Sequence, residues 1–349
     1  MNRQSQSSGD NSTQVQAAGD VFVGVSEQRA REIAQDTARQ VVDLYADEGV
    51  RLIQDRILKL DDRVIAALIR EGRLEVFGDP GFQRSYRKAQ EGAAVSENES
   101  DYDLLAALLS DRAARGEARR TRAGIERSIE IVDQIDEEAL RGLTVFQALQ
   151  QYRPLAPGLT TGLDVLQELF DSLLDGPLPS GDDWLDHLDV LDAVRINQFS
   201  GLKPFTEFYP SIMPGYLAPG MPGIGSEWPF EINGSSFIHP SLIRPHELRP
   251  GHLRFAAPIA ETIESTLRVS NEDRNTILAQ ARSALGFETV DGDLVRPFFE
   301  ELRKREALAK IENWWGQIPQ AITVTGVGRI LARANAYRLD ANGVLPPIE

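Results

Sequence analysis

Two hydrophobic periods divide this chain. Between residues 9 and 25, Thr13, Val15 and Ala17 alternate with Gln14 and Gln16, and Val21, Val23 and Val25 alternate with Phe22 and Gly24. A period of two, with Ala18-Gly19-Asp20 between the runs, predicts two short strands joined by a turn. Such a pair cannot hold together alone in water. It needs another surface, and the nearest is the same tag on a second chain. Val15, Ala17, Val21, Val23 and Val25 are therefore expected to carry oligomerisation.

Behind the tag the period lengthens. Ser26 suits an N-cap, and helix-forming residues continue from Glu27 to about Arg70. Ala30, Ala34, Thr37, Val41 and Leu44 step alternately by four and three, and Val50, Ile53, Ile57, Leu60, Val64 and Ala67 keep heptad spacing. The step from Leu44 to Val50 breaks the phase at Gly49, which predicts two helical segments with a kink or stutter across 26–73. Two uses of the stripes stay open: packing on the protein's own core, or a multimeric coiled-coil stalk.

Residues 74–200 read as an α-helical domain. Gly78-Asp79-Pro80 closes one element and opens the next, and Phe82 and Tyr86 share a face. Tyr102–Leu109 reads as a buried helix, Ile125, Ile129 and Val132 keep helical spacing, and Asp136-Glu137-Glu138 opens another helix. Leu163 to Leu174 is amphipathic. From 201 to 262 ten prolines crowd out any helical period, yet Phe205, Phe208, Tyr209, Tyr216, Trp228, Phe230, Phe237 and Phe255 are interleaved. Such aromatics predict an ordered irregular segment, laid over the helical core or over a neighbouring subunit. In the C-terminal region, 263–349, Asn271–Leu285, Arg296–Trp315 and Gly326–Arg338 read as helices, and Ile322–Thr325 as a strand with Thr325 capping the last helix. The fold class is thus mainly α: a helical bundle with a short N-terminal β tag, a long stalk and a Pro/Gly-rich irregular segment.

Composition narrows the chemistry. Without cysteine there are no disulfides, thiolate nucleophiles or zinc–thiolate sites. The polar start Met1-Asn2-Arg3-Gln4-Ser5-Gln6 lacks an apolar h-region, and no run is long enough to span a bilayer, so a cytoplasmic protein is expected. A net charge of −16 makes nucleic acid an improbable partner unless a local basic patch prevails.

Two clusters compete for a functional role. In Asp182-Asp183-Trp184-Leu185-Asp186-His187-Leu188-Asp189, helical spacing puts Asp182, Asp186 and Asp189 on one face and His187 near Asp183. Three carboxylates on a face could hold magnesium or manganese; an amphipathic helix with solvated acids explains the same residues. No metal and no cofactor is expected. The one dense basic run, Arg112–Arg122, offers Arg115, Arg119, Arg120 and Arg122 to phosphate or to an acidic partner, the Asp182–Asp192 face being one candidate. Gly326-Val327-Gly328-Arg329 hints at an anion site but lacks a Walker lysine, and His239, His246 and His252 could meet only through folding.

The segments Gly9–Ala17, Ser100–Leu105, Thr121–Ile125, Trp184–Arg195 and Leu345-Pro346-Pro347 together resemble an uncharacterised bacterial family named only by locus tags. The resemblance covers most of the chain and implies no activity. The order Phe82…Ala89, Leu104–Leu109, Ile125–Val132 and Thr325-Gly326-Val327-Gly328 is similar to the helical layout of the Abi-alpha abortive-infection proteins, which implies a role in phage defence. The expected function is a non-enzymatic oligomeric scaffold or sensor, partnered by its own copies and open to another protein. The alternative is a metal-dependent phosphohydrolase or nuclease built on Asp182, Asp186, Asp189 and His187, with the arginine run holding phosphate.

Overall fold

A computed structural model describes residues 27–116, 118–197, 199–223, 231–232, 235–236, 242–263 and 271–346. The strand tag with Val15, Ala17, Val21, Val23 and Val25 lies outside the described residues, as do Trp228, Phe230, Phe237 and His239. The helices are α1 Glu27–Glu71, α2 Pro80–Val95, α3 Glu99–Arg115, α4 Arg119–Glu130, α5 Glu137–Gln151 and α6 Leu159–Leu173. They continue as α7 Asp183–Val190, α8 Phe205–Ile212, α9 Asn271–Leu285, α10 Gly292–Leu302, α11 Glu306–Trp315 and α12 Gly326–Leu339. Seven short strands are described: β1 Val194–Asn197, β2 Met221–Pro222, β3 Glu231–Ile232, β4 Ser235–Ser236, β5 Ile243–Pro245, β6 His252–Phe255 and β7 Ala321–Val324. The chain is mainly α.

The first helix runs the length expected of it: α1 continues from Glu27 to Glu71 across Gly49. A lone interior glycine costs about 1 kcal/mol of helix propensity, too little to end a helix flanked by good helix formers. Burial divides α1 where hydrogen bonding does not. Ile33, Val41, Leu44, Val50 and Ile53 are exposed, whereas Leu60, Val64 and Leu68 are fully buried. The own-core use of the stripe therefore holds only for its last turns.

Within residues 55–349 the main core forms around α12, which packs on α3, α4 and α5. Its small residues Ala332, Ala334 and Ala336 are buried, and Asn335 Nδ2 donates to Thr144 Oγ1 of α5 at 2.8 Å. The strand expected before the last helix is present: β7 pairs antiparallel with β1, Val194 opposite Val324. Thr325 caps α12 by accepting the Gly328 N–H at 3.1 Å, and its hydroxyl also donates to the Asp192 carbonyl at 2.6 Å. Gly328 permits this approach, since a Cβ there would stand 2.0 Å from the Ala193 carbonyl oxygen.

Two expectations need correction. Arg296–Trp315 is two helices, α10 and α11, because the chain turns at 303–305 to bury Arg305. There the guanidinium meets Asp164 and the Thr160 carbonyl of α6. Residues 201–262 are also more regular than their prolines suggest. They hold α8 and an antiparallel sheet in the order β2-β6-β5. Phe205 and Phe208 join the main core through Trp315, with Phe208 stacked on it at 4.6 Å. Ile243 and Phe255 instead share a second core with Ile277, Leu278 and Leu285 of α9.

Arg254 ties the sheet to the helices. It is fully buried, its Nε donates to Glu247 at 2.7 Å, and its Nη2 reaches the Pro157 carbonyl at 2.6 Å. Burial raises the Glu247 carboxyl, but the Arg254 fork and the Leu159 N–H hold it below the ordinary range on balance. Removing one partner strands the other, which costs about 3 kcal/mol or more when a buried pair is broken. Arg254→Met should lower the unfolding free energy from urea titration by that order, and adding Glu247→Gln should restore part of the loss; an unfolding free energy equal to wild type in Arg254→Met would contradict the assignment.

Candidate functional site

The acidic segment is amphipathic. Trp184, Leu185 and Leu188 of α7 are buried, while Asp182, Asp183 and Asp186 are exposed. The remaining acids are matched by cations other than the arginine run. Arg195 reaches Asp192 at 2.6 Å and Asp189 at 3.7 Å, and Arg127 stands 3.6 Å from Asp192. The hydrogen bond from Arg195 holds the Asp192 carboxyl below its usual range.

His187 turns elsewhere. Its Nε2 accepts the backbone N–H of Asp136 at 3.1 Å, at the N-cap of α5, so the expected pairing with Asp183 is replaced by a helix-joining bond. Among the described residues no three His, Cys, Asp or Glu side chains are grouped so as to hold a metal ion. Asp182, Asp186, Asp189 and His187 are thus not brought together as a catalytic set.

The basic run is divided between two helices. Gly116 ends α3 and α4 starts at Arg119, so Arg115 stands on one helix and Arg119, Arg120 and Arg122 on the next. Gly116 closes α3 by donating its N–H to the Arg112 carbonyl at 3.0 Å. Arg112 is buried and pairs with Asp79 at 3.2 Å. Arg115 grips the buried Asp111 with a two-point fork, Nε and Nη2 each at 2.6 Å. Arg333 of α12 binds the same carboxylate. Burial pushes the Asp111 carboxyl above its ordinary range, against the pull of Arg115.

A cavity of about 440 Å³ opens where α3, α4 and α12 converge. Arg115, Arg120, Arg329 and Arg333 line it, with Thr121, Gln151, Gly326 and Val327. α4 passes close to α12 at Gly124, where a Cβ would meet Ile330 Cδ1 at 2.6 Å. Arg329 is steadied by donating from Nη1 to the Val324 carbonyl at 2.7 Å. Arg119 and Arg122 do not line the cavity.

Arg333 is the residue that sequence reasoning missed, whereas Arg329 stood out beside its glycines. Their i, i+4 spacing directly behind Gly326-Val327-Gly328 was the available signal, since it puts both on one helix face. Chemically, the described lining offers guanidiniums, a hydroxyl and an amide, but no carboxylate or imidazole. It can hold an anion and has no ordinary general base to accept a proton. Neither His246 nor His252 lines the cavity. His246 is buried against the Ala218 carbonyl at 2.9 Å, and His252 lies beside Pro250.

A family model known only by a locus-tag-type "-like" description matches residues 24–343. The chain belongs to that uncharacterised family. No curated protein and no solved structure matches it. None of the described helices is long and apolar enough to cross a membrane.

The bond between His187 and Asp136 predicts a structural role for the histidine. His187→Ala should lose about 1 kcal/mol, the net worth of one hydrogen bond, with the metal content of purified protein unchanged. Stoichiometric zinc or manganese in the wild type, absent from the variant by elemental analysis, would overturn this.

Proposed function

We propose that the chain is a non-enzymatic scaffold or sensor that assembles with copies of itself through the N-terminal tag and the first half of α1. The observation that carries this reading is the run of exposed apolar side chains at Ile33, Val41, Leu44, Val50 and Ile53. A helix in water draws most of its stability from packing an apolar face rather than from propensity. Every apolar Å² removed from water contributes about 25 cal/mol, so a partner for this stretch is strongly favoured. Val41 and Leu44 on one side of the phase break at Gly49, and Val50 and Ile53 on the other, are each three apart, a spacing that suits a second α1 because heptad spacing interlocks with itself. Charges of both signs, Arg31, Glu32, Asp36, Arg39, Asp43 and Arg51, flank the apolar positions and are compatible with self-pairing.

The dispersed geometry of Asp182, Asp186, Asp189 and His187 favours assembly over the hydrolase alternative. The lack of a proton acceptor in the described arginine cavity points the same way. Phage defence is the setting we propose, on the helical layout similar to Abi-alpha. A second copy of the chain is the proposed partner.

Light scattering on size-separated protein tests the reading. Full-length chain should run as a multiple of its own mass, deletion of residues 1–25 should lower that multiple, and Val41→Glu with Leu44→Glu should lower it further while leaving the thermal midpoint of residues 55–349 unchanged. A monomeric full-length chain, or an assembly indifferent to all of these changes, would refute it.

A further inference from the structure

We infer that the cavity between α3, α4 and the start of α12 binds a phosphate-bearing small molecule of nucleotide size, held by Arg115, Arg120, Arg329 and Arg333. The inference goes beyond self-association and stands independently of it, since the cavity is formed by residues far along the chain from the assembling stretch of α1.

The sign of the site is the first argument. The chain carries 53 acidic and 37 basic side chains, yet the described lining of this cavity holds four arginines and no acid. Asp111, just behind the wall, offsets at most one of those charges through Arg115 and Arg333. At least three positive charges remain. Clefts lined by one sign of charge focus the field and concentrate counter-ions.

The arrangement of the guanidiniums is the second argument. Asp111 and the Val324 carbonyl hold Arg115, Arg333 and Arg329 in place, so much of their rotamer entropy is spent before a ligand arrives. Arg120 is exposed and has no ion pair among the described residues, which leaves its guanidinium for a ligand.

Ligand class follows from charge and size. A carboxylate is matched by one guanidinium fork, whereas a phosphate dianion has the charge and the oxygens for several. A volume of about 440 Å³ lies within the usual range for small-molecule sites. Val327 and Ile330 supply an apolar wall, and Thr121 and Gln151 supply hydrogen-bonding groups for the rest of such a molecule. A polynucleotide fits less well, because the positive surface is confined to one cavity on a chain of net charge −16.

Calorimetric titration of the full-length protein near physiological salt, with AMP, ADP, ribose 5-phosphate, inorganic phosphate, adenosine, a short single-stranded oligonucleotide and a glutamate-rich peptide as probes, tests this. At least one phosphate-bearing small molecule should bind with Kd below about 1 mM, and adenosine should not. If the nucleotides bind more tightly than inorganic phosphate, the ligand is a phosphorylated metabolite as inferred; if inorganic phosphate binds as tightly, the nucleotide-sized ligand is overturned. Arg120→Glu should weaken binding at least about tenfold, the loss of one charge-assisted hydrogen bond. Arg119→Glu, outside the cavity, should change it less than about twofold. Absence of binding by every small phosphate probe, binding that survives Arg120→Glu, or tighter binding of the oligonucleotide or the acidic peptide would each overturn the assignment. These titrations are read whatever the oligomeric state, so their failure leaves the assembly reading untouched.

Discussion

Asp111 is the carboxylate on which the central packing turns. It lies buried at the end of α3 and is shared by Arg115 of its own helix and Arg333 of α12. A buried carboxylate without such partners would be driven to protonate or would unfold its surroundings. The pairing therefore fixes α12 against α3, while Asn335 bonded to Thr144 fixes it against α5. With α12 held on both sides, its first turns are placed opposite α4, and the arginine cavity follows from that placement. One ionic contact accordingly serves the core and the candidate site together.

Much of the local structure was legible because it is local. Asp79 ahead of Pro80 accepts the Gly81 and Phe82 N–H groups, Asp136 accepts the Ala139 N–H, and Thr325 accepts that of Gly328. Each is a cap readable from a few consecutive residues. The helix Asn271–Leu285 was readable as well. The break between α10 and α11 was not, because it is set by Arg305 reaching Asp164 far earlier in the chain. The sheet among the prolines was hidden for a similar reason. Strands of two to four residues carry too little alternation to read, and their register depends on partners distant in sequence.

The site shows the same division. Arg115 and Arg120 stood out as members of a basic run, and Arg329 stood out beside its glycines. Only the packing of α4 on α12 at Gly124 joins them, with Arg333, around one cavity. Counting charges along the run also misled, since α3 ends at Arg115 and α4 starts at Arg119, which separates residues that an unbroken helix would have aligned.

What distinguishes the start of α1 is that its apolar side chains at Ile33, Val41, Leu44, Val50 and Ile53 are exposed, while those at Leu60, Val64 and Leu68 are buried. Association of that stretch with a second copy is the central claim of this account. Amide hydrogen exchange on full-length protein, read peptide by peptide, addresses it most directly. Assembly predicts that amides of residues 31–54 exchange slowly at high protein concentration and progressively faster on dilution, while those around Leu60, Val64 and Leu68 stay protected throughout. Exchange across 31–54 at the rate of an unstructured peptide, at concentrations where 60–68 is fully protected, would contradict it.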